Sequence, residues 1–215
     1  MGDSPPDQIA RVRAGYNVSS RVYRADTADE AAQRQYAEWL GLVRDRVPAG
    51  GEVLDLGCGN GIPAAKWFSD NGFRVTGVDL SDTMVERARE LVPGATFLRG
   101  DMTEHDEVDF EERSFDAVAS FYALIHVPVA DQPGVIERVA GWLRPGGIFI
   151  ATVGHTAWTG IESDWLGGGA DMWWSHPAAA TYRAWIESAG LSIEDERFVP
   201  EGTGGHTLFV ATRRR

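Results

Sequence analysis

The sequence predicts an α/β fold: a seven-stranded, mostly parallel sheet with helices on both faces and a C-terminal antiparallel hairpin. Three observations carry that prediction. Short apolar runs alternate with stretches of helical periodicity between residues 36 and 153. The runs are apolar at successive positions, as in strands buried on both faces. The first run enters a glycine-rich turn, Gly57-Cys58-Gly59-Asn60-Gly61, that opens a helix.

Residues 1–27 read as an irregular arm, with 1–35 serving as an N-terminal cap. A helix follows, with Ala32, Tyr36, Trp39, Leu40, Val43 and Val47 at helical spacing, stopped by Pro48-Ala49-Gly50-Gly51. Glu52–Leu56 is a buried strand. The helix Pro63–Asp70 has Pro63 in its first turn, where the missing N–H does no harm. Phe73–Asp79 is the second strand, and Ser81 caps a helix to about Leu91. Ala95–Arg99 is the third strand, Asp101–Glu112 an acidic loop and Phe115–Phe121 the fourth strand.

Val135, Ile136, Val139, Trp142 and Leu143 mark the next helix, which Pro145-Gly146-Gly147 turns into the strand Ile148–Val153. Gly154–Ser175 reads as a long irregular loop, with 154–177 as the acceptor-site segment. A helix with Tyr182, Trp185, Ile186 and Ala189 ends at Gly190. The last strands, Leu191–Phe198 and His206–Thr212, are joined by a turn-rich link, and residues 178–215 form this closing helix and hairpin. The expectation is a single domain over residues 1–215, with a cofactor-binding core at 36–153.

Composition narrows the function. The formal net charge of −12 disfavours nucleic acid and anionic membranes. The basic run Arg213-Arg214-Arg215 reads as a frayed tail. One cysteine, Cys58, permits no internal disulfide. No stretch has signal-peptide or membrane-span character, so a cytoplasmic protein is expected.

The chemistry concentrates at strand ends. A strand feeding a glycine turn and a helix places backbone N–H groups beside a ligand. Asp79 closes the second strand and Asp101 follows the third, at the rim where open α/β sheets bind ligands. A dinucleotide fingerprint would carry a third Gly or Ala where Ile62 stands, which counts against a nicotinamide oxidoreductase.

The set Leu54-Asp55-Leu56-Gly57-Cys58-Gly59-Asn60-Gly61, Val78-Asp79-Leu80-Ser81, Gly100-Asp101-Met102, Phe115-Asp116-Ala117-Val118 and Leu143-Arg144-Pro145-Gly146-Gly147 resembles the class I S-adenosylmethionine-dependent methyltransferases of small molecules. The resemblance implies S-adenosyl-L-methionine as cofactor. It implies that Asp55 and the turn Gly57, Cys58, Gly59 and Gly61 hold the methionine part. Asp79 would bind the ribose hydroxyls and Asp101 the adenine amino group, with Leu80 and Met102 on the ring. The carbonyl of Ser120 or Phe121 would meet the methionine amino group, and Tyr16 and Tyr23 would cover the cofactor.

The acceptor end is read from two segments. After the fourth strand the chain runs Ser120-Phe121-Tyr122-Ala123-Leu124-Ile125-His126. No acid stands there to hold a catalytic magnesium, and no Cys or His spacing suggests zinc, so no metal is expected. His126 is the candidate for acid–base work, because imidazole titrates near neutral pH. In the loop, Trp158, Trp165, Trp173 and Trp174 are four of eight tryptophans. With Tyr122, His155, Met172 and His176 they are candidates to line or lid the acceptor. The expected reaction is methyl transfer to a small-molecule oxygen: hydroxyl, carboxyl or phosphonate. An ionised carboxyl or phosphonate would need His126 only for positioning. N-methylation of a small amine and a non-catalytic cofactor-binding protein are the alternatives.

Overall fold

The computed structural model describes residues 4–23 and 30–214, the side chains of Pro6 and Ala32 excepted. The expected apolar position Ala32 and the tail residue Arg215 lie outside what is described. The chain runs through α1 (Pro5–Tyr23), α2 (Glu30–Arg44), β1 (Glu52–Leu56), α3 (Ala64–Asp70), β2 (Arg74–Asp79), α4 (Asp82–Leu91), β3 (Thr96–Arg99) and β4 (Phe115–Phe121). It continues through α5 (Gln132–Trp142), β5 (Leu143–Gly154), β6 (Trp158–Glu162), β7 (Met172–His176), α6 (Ala179–Ser188), β8 (Leu191–Glu201) and β9 (Gly204–Arg213).

Seven strands form one sheet in the order β3-β2-β1-β4-β5-β9-β8. β3, β2, β1, β4 and β5 are mutually parallel, and β9 is antiparallel to both its neighbours. Side-chain alternation divides the core as the two-residue period requires. Val53, Val75, Ala117 and Ile150 meet Leu40, Phe68 and Val85 of α2, α3 and α4 on one face. Leu54, Val78, Val118 and Phe149 meet Ile136 of α5 and Tyr182 of α6 on the other. Ser81 caps α4 as expected, its hydroxyl accepting from the Met84 N–H at 3.1 Å.

The motif residues Asp116 and Arg144 brace the sheet. Asp116 accepts from the Glu52 N–H at 2.8 Å and pairs with Arg144. β5 begins at Leu143, earlier than expected. Leu143 pairs with Phe115, the register then shifts across Pro145-Gly146-Gly147, and pairing resumes at Ala117 and Ile148.

Three expectations are corrected. The arm is not irregular: residues 5–23 form a helix, with Pro5 at its start and Asp7 accepting from the Ser4 N–H at 3.1 Å. Gly154–Ser175 is not an irregular loop: β6 and β7 pair as a separate antiparallel ribbon, Trp158 opposite His176 and Glu162 opposite Met172. The basic tail is not frayed at Arg213, whose guanidinium donates to the carbonyls of Gly141 and Leu143 at 2.7 and 2.6 Å. α1 and the ribbon share a small core in which Val12, Trp165 and Met172 are buried. Gly15 allows that approach, since a Cβ there would lie 2.8 Å from Met172 Cε.

Among the described residues, no helix is long and apolar enough to cross a membrane.

Candidate active site

One cleft opens at the C-terminal ends of β1, β2 and β4 and encloses about 850 Å³, its mouth included. Parallel pairing puts these ends side by side: Asp55 is in register with Gly77, and Asp79 with Arg99. The Asp55, Asp79 and Asp101 carboxylates therefore reach one space, together with Gly57, Cys58 and Gly59.

The glycine turn is tightly fixed. The N–H groups of Gly57 and Cys58 donate to the Val78 carbonyl at 2.8 and 2.9 Å. Asp79 accepts from the Gly59 N–H at 2.8 Å and the Ser81 N–H at 2.9 Å, so its carboxylate shapes the turn as well as facing the cleft. Burial pushes the Asp79 carboxyl above its ordinary range, and those N–H groups, with that of Leu80, oppose the rise. Gly57 has φ of +82°, and a Cβ there would sit 2.1 Å from Ala123 Cβ. Gly59 also has positive φ, but a Cβ there would meet no atom within 4 Å. The backbone at Gly59 is thus bare toward the cleft, as close approach of a ligand requires. Burial chiefly, then the fields of Asp79 and Asp55, raise the Cys58 thiol well above its usual range, which keeps it protonated.

Asp101 is buried and accepts from the Thr103 N–H and hydroxyl at 2.9 and 2.8 Å. Leu80, Met102 and Phe121 line the cleft. Ser120 is fully buried and is not among the residues that line it. Tyr16 and Tyr23 line it from α1, edge to face with each other at 5.3 Å. An adenine, a ribose and an amino acid fit this set of groups: acids for hydroxyls and amines, apolar walls for a ring, bare backbone between.

At the other end of the cleft lie Tyr122, Ala123 and His126. Both nitrogens of the buried His126 ring are engaged. Nδ1 is 2.7 Å from the Trp173 carbonyl and Nε2 is 2.8 Å from the Tyr16 hydroxyl. A carbonyl can only accept, so Nδ1 carries the ring proton and Nε2 accepts the Tyr16 O–H. Trp174 packs on the imidazole at 4.4 Å between centroids. Burial lowers the His126 pKa to about 4, opposed by the bond to Trp173 and assisted by the fields of His176 and His206.

The remaining acceptor candidates form a layer outside the cleft. Trp165 packs on Tyr16 and Tyr23 at 5.3 and 5.0 Å. Met172 is buried against α1, Trp158 is 45% exposed, and His176 fills the space that Gly154 leaves without a Cβ. His155 Nδ1 is 3.0 Å from the Thr207 hydroxyl. Among the described residues, no group of three or more His, Cys, Asp or Glu is arranged to hold a metal ion.

Several working residues carry no mark in the sequence reading. Asn17 accepts from the Ser81 hydroxyl at 2.6 Å, tying α1 to the start of α4. Fully buried Gln132 donates to the carbonyls of Val127 and Ser175 at 2.7 and 2.6 Å, clamping β7 to the turn that bears His126. Ile9 and Val12 line the cleft. Their helical spacing with Tyr16 and Tyr23 was the available signal for α1. Nothing local distinguishes Gln132 from a surface glutamine.

Comparison with known proteins agrees with this geometry. The family profile described as a methyltransferase domain matches residues 53–147. The chain is 31% identical over 163 residues to the 2-methyl-6-phytyl-1,4-hydroquinone methyltransferase of Synechocystis sp., covering 71% of this chain and 48% of that protein. It is 36% identical over 124 residues to the 27-O-demethylrifamycin SV methyltransferase of Amycolatopsis mediterranei, covering 56% of this chain and 44% of that one. The chain thus spans about half or less of the length of these relatives. A solved S-adenosylmethionine-dependent methyltransferase from Mesorhizobium loti superimposes with a TM-score of 0.65 at 25% identity, covering 84% of this chain and 100% of that one.

Proposed function

Because this chain belongs to the class I S-adenosylmethionine-dependent methyltransferases, we propose that it binds S-adenosylmethionine in this cleft and methylates an oxygen of a small metabolite or natural product. The observation that carries the reading is the convergence of Asp55, Asp79 and Asp101 with the turn at Gly57 and Gly59 on one space. Asp55 and the turn would hold the amino-acid part, Asp79 the ribose hydroxyls and Asp101 the adenine amino group. When bound, the cofactor supplies a methyl group on a sulfonium, activated for in-line displacement. The protein's share is then alignment, exclusion of water and management of the acceptor's proton. α1 closes over the cleft through Tyr16 and Tyr23, and the acceptor enters beside Tyr122 and His126.

Calorimetry with S-adenosylmethionine, S-adenosylhomocysteine and NAD tests the first step. The two adenosyl compounds should bind and NAD should not; binding of NAD alone would sink the reading. Asp79→Ala should weaken cofactor binding by about 1.5–3 kcal/mol for each charge-assisted bond removed.

A further inference from the structure

The polar group that meets the acceptor is set by counting protons along one chain of contacts. The Trp173 carbonyl takes the Nδ1 proton of His126, and His126 Nε2 takes the hydroxyl proton of Tyr16. Tyr16 has one proton to give, and it is given to His126. Whatever else the phenol oxygen meets, it meets as an acceptor. The imidazole is not free to turn: Trp174 lies against its face and Tyr16 against its edge. The described lining of the cleft includes no lysine or arginine, so an anionic head group would find no cation there. Rings and apolar carbons from Val12, Tyr36, Phe121 and Tyr122 share the cleft with this pair.

We propose that the acceptor is an uncharged, ring-bearing alcohol or phenol, that its hydroxyl donates to the Tyr16 oxygen, and that the Tyr16–His126 pair receives its proton. This rests on the methyltransferase reading and selects the hydroxyl over the carboxyl and phosphonate oxygens. The proton balance is simple. The acceptor O–H breaks and its proton passes to the Tyr16 oxygen, while the Tyr16 proton passes to His126 Nε2. The acceptor oxygen keeps the electron pair, Tyr16 ends as a neutral phenol and His126 as an imidazolium with Nδ1–H still on Trp173. Tyr16 is then the catalytic residue in contact with the acceptor, and His126 acts through it.

Two measurements on the full chain saturated with S-adenosylhomocysteine test this. In histidine-labelled protein, long-range ¹H–¹⁵N spectra should show His126 protonated at Nδ1 and bare at Nε2, and Tyr16→Phe should shift the Nε2 resonance. Titration with phenol, benzoate and phenylphosphonate, matched in ring and different in head group, should rank phenol first. Tyr16→Phe should weaken phenol about tenfold, as expected for one lost hydrogen bond, and leave benzoate unchanged. Protonation at Nε2, or benzoate or phenylphosphonate binding as well as phenol, overturns the proposal. Failure of phenol to bind the wild-type complex overturns it as well. Failure to bind S-adenosylhomocysteine at all would instead overturn the methyltransferase reading.

Discussion

The two ends of the cleft are assembled by different physics. At one end, Asp55, Asp79 and Asp101 arrive on successive strands, and backbone pairing of β1, β2 and β3 sets their spacing. At the other, Tyr16 and His126 are 110 residues apart, His126 and Trp173 47 apart, and no strand pairing joins them. They meet because α1 and the β6–β7 ribbon bury Val12, Trp165 and Met172 against each other over the rim. The first kind of site takes its spacing from the backbone of the sheet. The second can be retuned by changing packing in α1 or the ribbon while the sheet stays as it is. One fold can therefore keep a ligand at one end and vary the chemistry at the other.

That contrast breaks most severely at Gly57, where the turn lies against Ala123. Gly57→Ala would press its Cβ onto Ala123, three residues before His126, at a φ of +82°. Overpacking and left-handed strain together should cost about 4 kcal/mol, read by urea unfolding. Cofactor affinity should fall with it. A variant of wild-type stability would show the two ends to be independent.

A pH series sharpens the contrast. His126 is held neutral in the folded state, its pKa lowered to about 4, while the unfolded residue titrates near 6.5. Between those values the unfolded chain binds the extra proton, so stability falls as pH drops from 6.5 toward 4 and rises as pH increases. The full effect is about 3 kcal/mol, from the size of the shift. His126→Gln should lack this component when the two unfolding series are subtracted. An identical pH slope in both proteins would mean that the imidazole is not buried neutral.

The smallest expected effect belongs to the clamp. Gln132→Leu removes the donor shared by the Val127 and Ser175 carbonyls, and should cost about 2 kcal/mol for the buried groups left unpaired. Hydrogen exchange should quicken in β6 and β7 and stay unchanged in β1 and β2. Equal loosening of both would erase the distinction between the two ends.

The sequence by itself determined the sheet and the cleft's acidic rim. Each strand ends on a local signal, such as Gly57 after β1 or Ser81 after Asp79, and parallel pairing turns linear order into spatial order. Expectations failed where local signals were weak or mixed. The ribbon's Gly-rich, Trp-rich stretch has no clear period, and its strands exist because Trp158 to Glu162 found a partner in Met172 to His176. Residues 5–23 lack a strong amphipathic pattern, and their helix is docked by contacts to α4 and the ribbon, through Asn17 and Gly15. Only the tertiary structure decided what His126 can do. Whether an imidazole is a free base or a relay depends on what lies against each nitrogen, and here those neighbours are a hydroxyl and a carbonyl from distant segments.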